Sequence, residues 1–275
     1  MSDIQLNPDR LVPERLSPLR LKHIFEINTR LSTPLSLTMP LKLKEIDLED
    51  FNTMTDHANI YPPEDDLVGP PTPICWLVTT PSEAQNRLDF HMTKQKERYL
   101  GDTSARYLKI IDEETGEIIS MARWHWYPDG YSYTEGIHWE THNAVEGCPW
   151  PKGMNVELHN WILTRRDAAR EHWQEKGQPC WILMHLVTRA SQRGRGAASM
   201  LINWGVERAR KDAVPAYLEA GVLAVPLYAK HGFRQVGDLL RFDLRGHGVD
   251  LDFVMAKMGF FPEVLAEVQA GKKIK

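Results

Sequence analysis

The chain has 275 residues, is 42% hydrophobic and 25% charged, and carries a formal net charge of -4. That composition fits a soluble globular protein with a sizeable core. The mild acidity argues against a general nucleic-acid binder and favours a small-molecule site that is basic only locally. The three cysteines, Cys75, Cys148 and Cys180, are odd in number, far apart and form no CxxC pair. They argue against a disulfide framework or a structural zinc site and for a reducing compartment, so a cytoplasmic location is expected. No apolar run is long enough to span a membrane, and no basic start leads into a signal-peptide core.

In chain order, residues 1–38 read as an extension. Leu41 to Ile46 alternates as a first strand. Asp47 caps a helix through Phe51 and Met54 towards Ala58. Residues 61–73, rich in Pro and acids, read as a surface loop. Ser82 followed by Gln85 forms a capping-box pattern for a helix from Glu83 towards Tyr99. Tyr107 to Asp112 and Glu117 to Tyr127 flank Glu113-Glu114-Thr115-Gly116, a hairpin signal.

Residues 128–153 are irregular and hold Tyr131, Tyr133, His138, Trp139, His142 and Trp150. Two readings stay open: a loop with its own packing, or a lid over a substrate pocket. His138 and His142 lack a third ligand beside them, so no metal site is expected. Asn155 caps a helix through Trp161 and Ala169 to about Gln174. Cys180 to Thr188 is apolar apart from His185, as in a strand covered on both faces.

The run Arg193-Gly194-Arg195-Gly196-Ala197-Ala198 follows that strand and opens a helix whose apolar face carries Leu201, Ile202, Gly205 and Ala209. Such a bend points several backbone N–H groups one way at the positive end of a helix, which suits a phosphate or diphosphate. No Gly-Lys-Ser/Thr follows, which excludes a P-loop, and the dinucleotide pattern lacks its third Gly. Tyr217-Leu218-Glu219 reads as a short strand, Ala224 to His231 as a short helix ended by Gly232, and Phe233 to Val236 as the next strand. Leu240 to Leu244 forms a last strand. Residues 247–275 read as a C-terminal tail with a short helix over Pro262 to Ala270.

The glycine run resembles the phosphate motif of the GNAT acetyltransferase superfamily, Gln/Arg-x-x-Gly-x-Gly/Ala, with Arg193 first, Gly196 fourth and Ala198 sixth. At the expected distance, Tyr228-Ala229-Lys230-His231-Gly232-Phe233 resembles the family's second signature. Ala190 stands where the family often has Pro before the loop, and Ala224 or a neighbour stands in place of an Asn common before the Tyr helix.

The resemblance implies an α/β (α+β) fold: a mixed, mostly antiparallel central sheet flanked by helices, with a V-shaped splay between strands 4 and 5. It places the domain at residues 39–246. It implies acetyl-CoA as co-substrate, with no metal, and acetyl transfer to a primary amine of a small molecule or peptide by direct attack. The pantetheine arm would lie along the backbone of Leu186, Val187 and Thr188. The diphosphate would lie on the amides of Arg193, Gly194, Arg195, Gly196, Ala197 and Ala198, with one of the two arginines reaching it directly.

Tyr228 falls at the family's position for the acid that protonates the leaving thiolate. A phenol of ordinary pKa near ~10 suits that task. Glu219, His185 and His125 are alternative bases, with a packed core histidine as the other reading of His185. Trp124, His125 and Trp126 are expected on the acceptor side. A non-catalytic module that binds acyl-CoA or a partner is the alternative function. No nucleic-acid or membrane partner is expected, and the oligomeric state is left open.

Overall fold

A computed structural model describes residues 40–55, 67–68, 72–131, 150–170 and 177–262. Its strands are β1 (Leu41–Glu45), β2 (Ala105–Asp112), β3 (Ile118–Tyr127), β4 (Cys180–Thr188), β5 (Ala216–Gly221), β6 (Arg234–Gln235), β7 (Leu240–Asp243) and β8 (Asp252–Phe260). Its helices are α1 (Asp50–Thr55), α2 (Thr72–Cys75), α3 (Pro81–Gly101), α4 (Val156–Arg170), α5 (Ala197–Asp212) and α6 (Val225–Lys230). No helix of the described residues is long and apolar enough to cross a membrane.

The strands form one mixed sheet in the order β1-β2-β3-β4-β5-β8-β6, with β7 also on β8. Every pairing is antiparallel except β4 with β5. A parallel pair needs a crossover, and α5 supplies it. Alternation along the strands divides the core. Leu108, Trp124, Leu183, Leu218 and Ala256 pack with Leu201, Ile202 and Val206 of α5. Tyr107 and Met121 pack with Phe51 and Met54 of α1 and Leu88 and Met92 of α3.

Local chemistry explains the helix starts. Asp47 and Asp50 exchange caps: the Asp50 amide donates to Asp47 Oδ1 at 3.2 Å and the Asp47 amide to Asp50 Oδ2 at 2.7 Å. The long helix starts earlier than the Ser82 pattern predicts. Thr80 is its N-cap, its hydroxyl accepting from the Glu83 amide at 3.2 Å while Glu83 Oε2 accepts from the Thr80 amide at 3.1 Å. Pro81 at the first helical position favours this start because its missing N–H costs nothing there. Asn155 caps α4 as expected, accepting from the Leu158 amide at 2.9 Å.

The expected C-terminal tail needs correction. Residues Asp252–Phe260 are a strand of the sheet, seated between β5 and β6, so the sheet runs past residue 246. Ala256, Met258 and Phe260 are buried in the main core. The helix expected over Pro262 to Ala270 lies almost entirely outside the described residues, as do residues 1–38 and 132–149. Of the stretch expected as a loop or lid, Tyr131 is buried with Cys180, Ile182 and Tyr217. Trp150 packs on Phe90 at 5.3 Å between ring centres.

Candidate active site

The parallel pairing of β4 and β5 is short. Trp181, Ile182 and Leu183 pair with Ala216, Tyr217 and Leu218, and no further pairs follow. Both strands continue, β4 to Thr188 and β5 to Gly221, so they splay beyond Leu183 and Leu218. Past that point β4 keeps its other neighbour: Ser120, Met121 and Ala122 of β3 still pair with Thr188, Val187 and Leu186. The Ser120 hydroxyl adds a bond to the Val187 carbonyl at 2.7 Å. One edge of β4 is therefore held while the edge facing β5 is released, as the V-shaped sheet requires.

After β4 the chain makes a 3-10 turn, Ala190–Gln192, and enters α5 through Gly194 and Gly196. Both glycines are left-handed, with φ of 81° and 91°, a region closed to most side chains. A Cβ at either would meet nothing within 4 Å, so the space before the bend is open. Gly196 caps α5 without a side chain, and no side-chain bond occupies the cap. The first N–H groups of a helix have no intrahelical acceptor. The turn at Ala197 and Ala198 thus presents amides and the positive helix end to that space, an arrangement that suits a diphosphate.

Two arginines pin the bend to the β2–β3 hairpin. Arg189 is buried and donates from Nε to the Ile118 carbonyl at 2.9 Å. Arg195 donates to Asp112 Oδ2 at 2.8 Å and also to Gln192 Oε1. The bond from Arg195 holds the Asp112 carboxyl below its ordinary pKa. Arg195 therefore serves as an anchor, while Arg193 is exposed and lines the cavity described next. Of the two arginines expected near phosphate, only Arg193 lines that space.

A cavity of about 620 Å³ opens at the splay. Leu186, Val187 and Thr188 line it from β4, Arg193 and Ala198 from the bend, and Ala224, Leu227 and Tyr228 from α6 and its entry. Sequence reasoning missed its opposite wall: Val68, Pro73, Leu77, Val78 and Arg87. Arg87 lies among the buried residues of α3, and an arginine on the apolar face of an amphipathic helix was the available signal. Its Nη1 donates to the Trp76 carbonyl at 3.4 Å.

Tyr228 is 7% exposed and packs edge-on against Phe233. Burial raises its phenol pKa further above the ordinary value of 10, so the hydroxyl keeps its proton at neutral pH. Tyr228 thus lines one cavity with Leu186, Val187 and Thr188 of β4 and with Arg193 and Ala198, which flank the glycine bend.

The other expected positions lie elsewhere. Trp124 is fully buried on the α5 side, its indole N–H donating to the Leu201 carbonyl at 3.1 Å. Trp126 lies against Trp181, ring centres 5.1 Å apart, and packs on the same core. His125 points to the other face and is 2% exposed, its Nδ1 2.8 Å from Ser104 Oγ and 3.5 Å from Asp102 Oδ2. None of the three lines the cavity. Trp124 and His125 are buried and half-buried Trp126 packs against the core, all away from the cavity, contrary to the acceptor-side expectation.

The two acid–base candidates on β4 and β5 also stand outside the cavity lining. Glu219 accepts from Arg170 Nε at 2.6 Å and Nη2 at 2.8 Å, an ion pair with both side chains buried. His185 packs against His91 of α3, ring centres 5.5 Å apart.

The Acetyltransferase (GNAT) family model matches residues 158–233, from α4 to Phe233, three residues past the Tyr228 helix. Over 102 residues the chain is 29% identical to a probable acyltransferase, SID5, of Ajellomyces capsulatus, covering 36% of this chain and 71% of that protein. It is similar to a solved structure from Corynebacterium glutamicum described as histone acetyltransferase HPA2 and related acetyltransferase. The TM-score is 0.47 and the identity 20%, over 82% of this chain and 97% of that one. It is also similar to mosquito arylalkylamine N-acetyltransferase like 5b, with a TM-score of 0.47 and 13% identity over 81% of this chain and 100% of that one. The parallel β4–β5 splay, the glycine bend and the family match over residues 158–233 support placing this part of the chain in the GNAT acetyltransferase superfamily.

Proposed function

We propose that the protein is an acetyl-CoA-dependent N-acetyltransferase that transfers the acetyl group to a primary amine of a small molecule or peptide by direct attack. One observation carries the reading: a single cavity is lined by Leu186, Val187 and Thr188 of the released β4 edge, by Arg193 and Ala198 on either side of the glycine bend, and by Tyr228. When bound, acetyl-CoA supplies the activated acetyl group. Amides from Gly194 to Ala198 hold its diphosphate, and Arg193 adds positive charge at that end. The backbone of Leu186, Val187 and Thr188 holds the pantetheine arm as an added strand would.

The chemistry then needs a neutral amine whose nitrogen, once bonded to the acetyl carbon, loses its extra proton to water, a donor for the carbonyl oxygen, and a proton for the sulfur as the C–S bond breaks. A backbone N–H near Leu186 or Val187 polarises the carbonyl. Tyr228 gives its proton to the departing sulfur, and burial keeps that proton in place until the thiolate forms. Glu219 is a poor base on this reading because both its oxygens are held by Arg170. The test is a screen of primary amines with acetyl-CoA, read as free thiol released and acetyl-amine formed. Amine-dependent thiol release supports the reading. Acetyl-CoA binding with no transfer to any amine tested counts for a module that binds without catalysis.

A further inference from the structure

His231 closes α6 three residues after Tyr228, and its side chain reaches across to α5. Its Nδ1 lies 2.7 Å from Asn203 Oδ1 and its Nε2 lies 3.2 Å from Ser199 Oγ. Ser199 is the third residue of α5, beside Ala198 on the cavity wall. The His231 amide also donates to the Tyr228 carbonyl at 2.9 Å. One residue therefore joins the helix that carries the phenol to the helix turn that offers amides to the diphosphate.

The roles of the ring nitrogens follow from the partners. Asn203 Oδ1 only accepts, so Nδ1 carries the proton, and the neutral Nε2 accepts from the Ser199 hydroxyl. Burial, with a smaller contribution from Lys230, lowers the His231 pKa below 6.5, so this neutral tautomer persists at neutral pH. A six-residue helix has little rigidity of its own, because its hydrogen bonds barely offset nucleation. It needs ties to its surroundings if its side chain is to hold one position.

We propose that His231 is a positioning residue: it sets the distance between Tyr228 and the diphosphate grip of α5, and so where the phenol meets the sulfur of a bound thioester. The proposal rests on the reading of Tyr228 as the proton donor. Misplacing a catalytic group by about 1 Å can cost roughly 10²-fold in rate. His231 touches neither the thioester nor the acceptor on this reading, so its removal acts on kcat through Tyr228 and leaves the amides of the bend in place.

The test is a double-mutant cycle on the full chain with acetyl-CoA and an amine that supports turnover. His231→Leu should lower kcat about tenfold while the Kd for coenzyme A stays within about twofold. In the Tyr228→Phe background the same change should lower kcat less than about twofold, because the group it positions is already gone. Asn203→Ala, at an exposed helical site where Ala is well tolerated, should lower kcat in the same direction and show the same loss of effect in that background. It serves as the probe if His231→Leu does not fold, as judged by its thermal melt.

Equal fractional losses of kcat in the wild-type and Tyr228→Phe backgrounds would overturn the proposal, as would unchanged kcat in both probes. An unchanged kcat in Tyr228→Phe alone would instead defeat the reading of Tyr228, so the two failures are separable.

Discussion

Arg170 grips Glu219 with two parallel bonds, Nε to Oε1 at 2.6 Å and Nη2 to Oε2 at 2.8 Å, from the end of α4 to the open part of β5. Burial alone would lower the Arg170 pKa, but Glu219 and Asp167 together raise it well above the ordinary guanidinium value. Removing one partner of a buried pair leaves the other charge uncompensated, at about 3–5 kcal/mol. Asp167 Oδ1, 3.1 Å from Arg170, softens that loss. Glu219→Leu should therefore destabilise the protein by about 3 kcal/mol in urea unfolding. Glu219→Gln should remain active, without the ~10²-fold or larger drop in kcat that removal of a general base brings. A drop of that size with unchanged stability would restore Glu219 as the base.

Tyr228→Phe should lower kcat by about 10²-fold, the lower end for a lost general acid. The Kd for acetyl-CoA should change little, because the phenol acts on a sulfur that becomes charged only as the bond breaks. Steady-state kinetics paired with a binding measurement check this. Equal turnover would remove the phenol from the mechanism.

Gly205 shows how tightly the α5 face is built. A Cβ there would fall 2.2 Å from Trp124 Cζ2, in a ring that is fully buried and bonded to the Leu201 carbonyl. Replacing a helical Gly by Ala normally gains about 1 kcal/mol, whereas overpacking costs about 1–3 kcal/mol or more. The clash here is with a ring that cannot swing aside, so the cost wins. Gly205→Ala should lower stability by at least about 1 kcal/mol in urea unfolding, despite its better helix propensity.

His91 makes the fold acid-sensitive. Burial first, then the neighbouring His185, Arg123, Arg98 and His159, hold its pKa well below the ordinary imidazole value. The Gln95 amide agrees with a neutral ring. Its Oε1 accepts from Tyr107 Oη and Arg123, which leaves Nε2 to donate to His91 Nε2 at 3.2 Å. The unfolded chain takes up a proton near pH ~6.5 while the folded one does not, so stability is full above that pH and falls as pH drops towards the folded pKa. Urea unfolding between about pH 7 and 5 should show this slope, and His91→Gln should flatten it. Equal slopes in the two proteins would show that His91 titrates alike in both states.

The parts legible in the sequence were those fixed by short-range chemistry. The strand from Cys180 to Thr188, the positive φ at Gly194 and Gly196, and the short helix at Tyr228 follow from local patterns. Three features depended on distant partners. The run Trp124-His125-Trp126 alternates in both directions, so the strand alone does not say which face is covered. Gly205, about eighty positions later, makes room for Trp124 and decides it. Asp252–Phe260 looks like a tail until β5 and β6 accept it between them. Arg195 reads as a phosphate ligand from its place in the motif, but Asp112, across the hairpin, claims its guanidinium. The cavity wall at Leu77 and Val78 comes from a segment with no chemical signature, and Arg87 shows only as an arginine on the apolar face of its helix.

The proposed reaction requires the bend at Gly194 and Gly196 to grip the diphosphate of coenzyme A. Calorimetric titration of the purified protein with coenzyme A tests it most directly, with Gly196→Asp as the comparison. That change puts a side chain at φ 91° and a negative charge before the amides, where a Cβ otherwise meets open space. The wild-type protein should show saturable one-to-one binding, weakened at least about tenfold by Gly196→Asp, since about 1.4 kcal/mol of lost interaction is a factor of ten. Absence of binding by the wild-type protein, or equal affinity in the two, would contradict it.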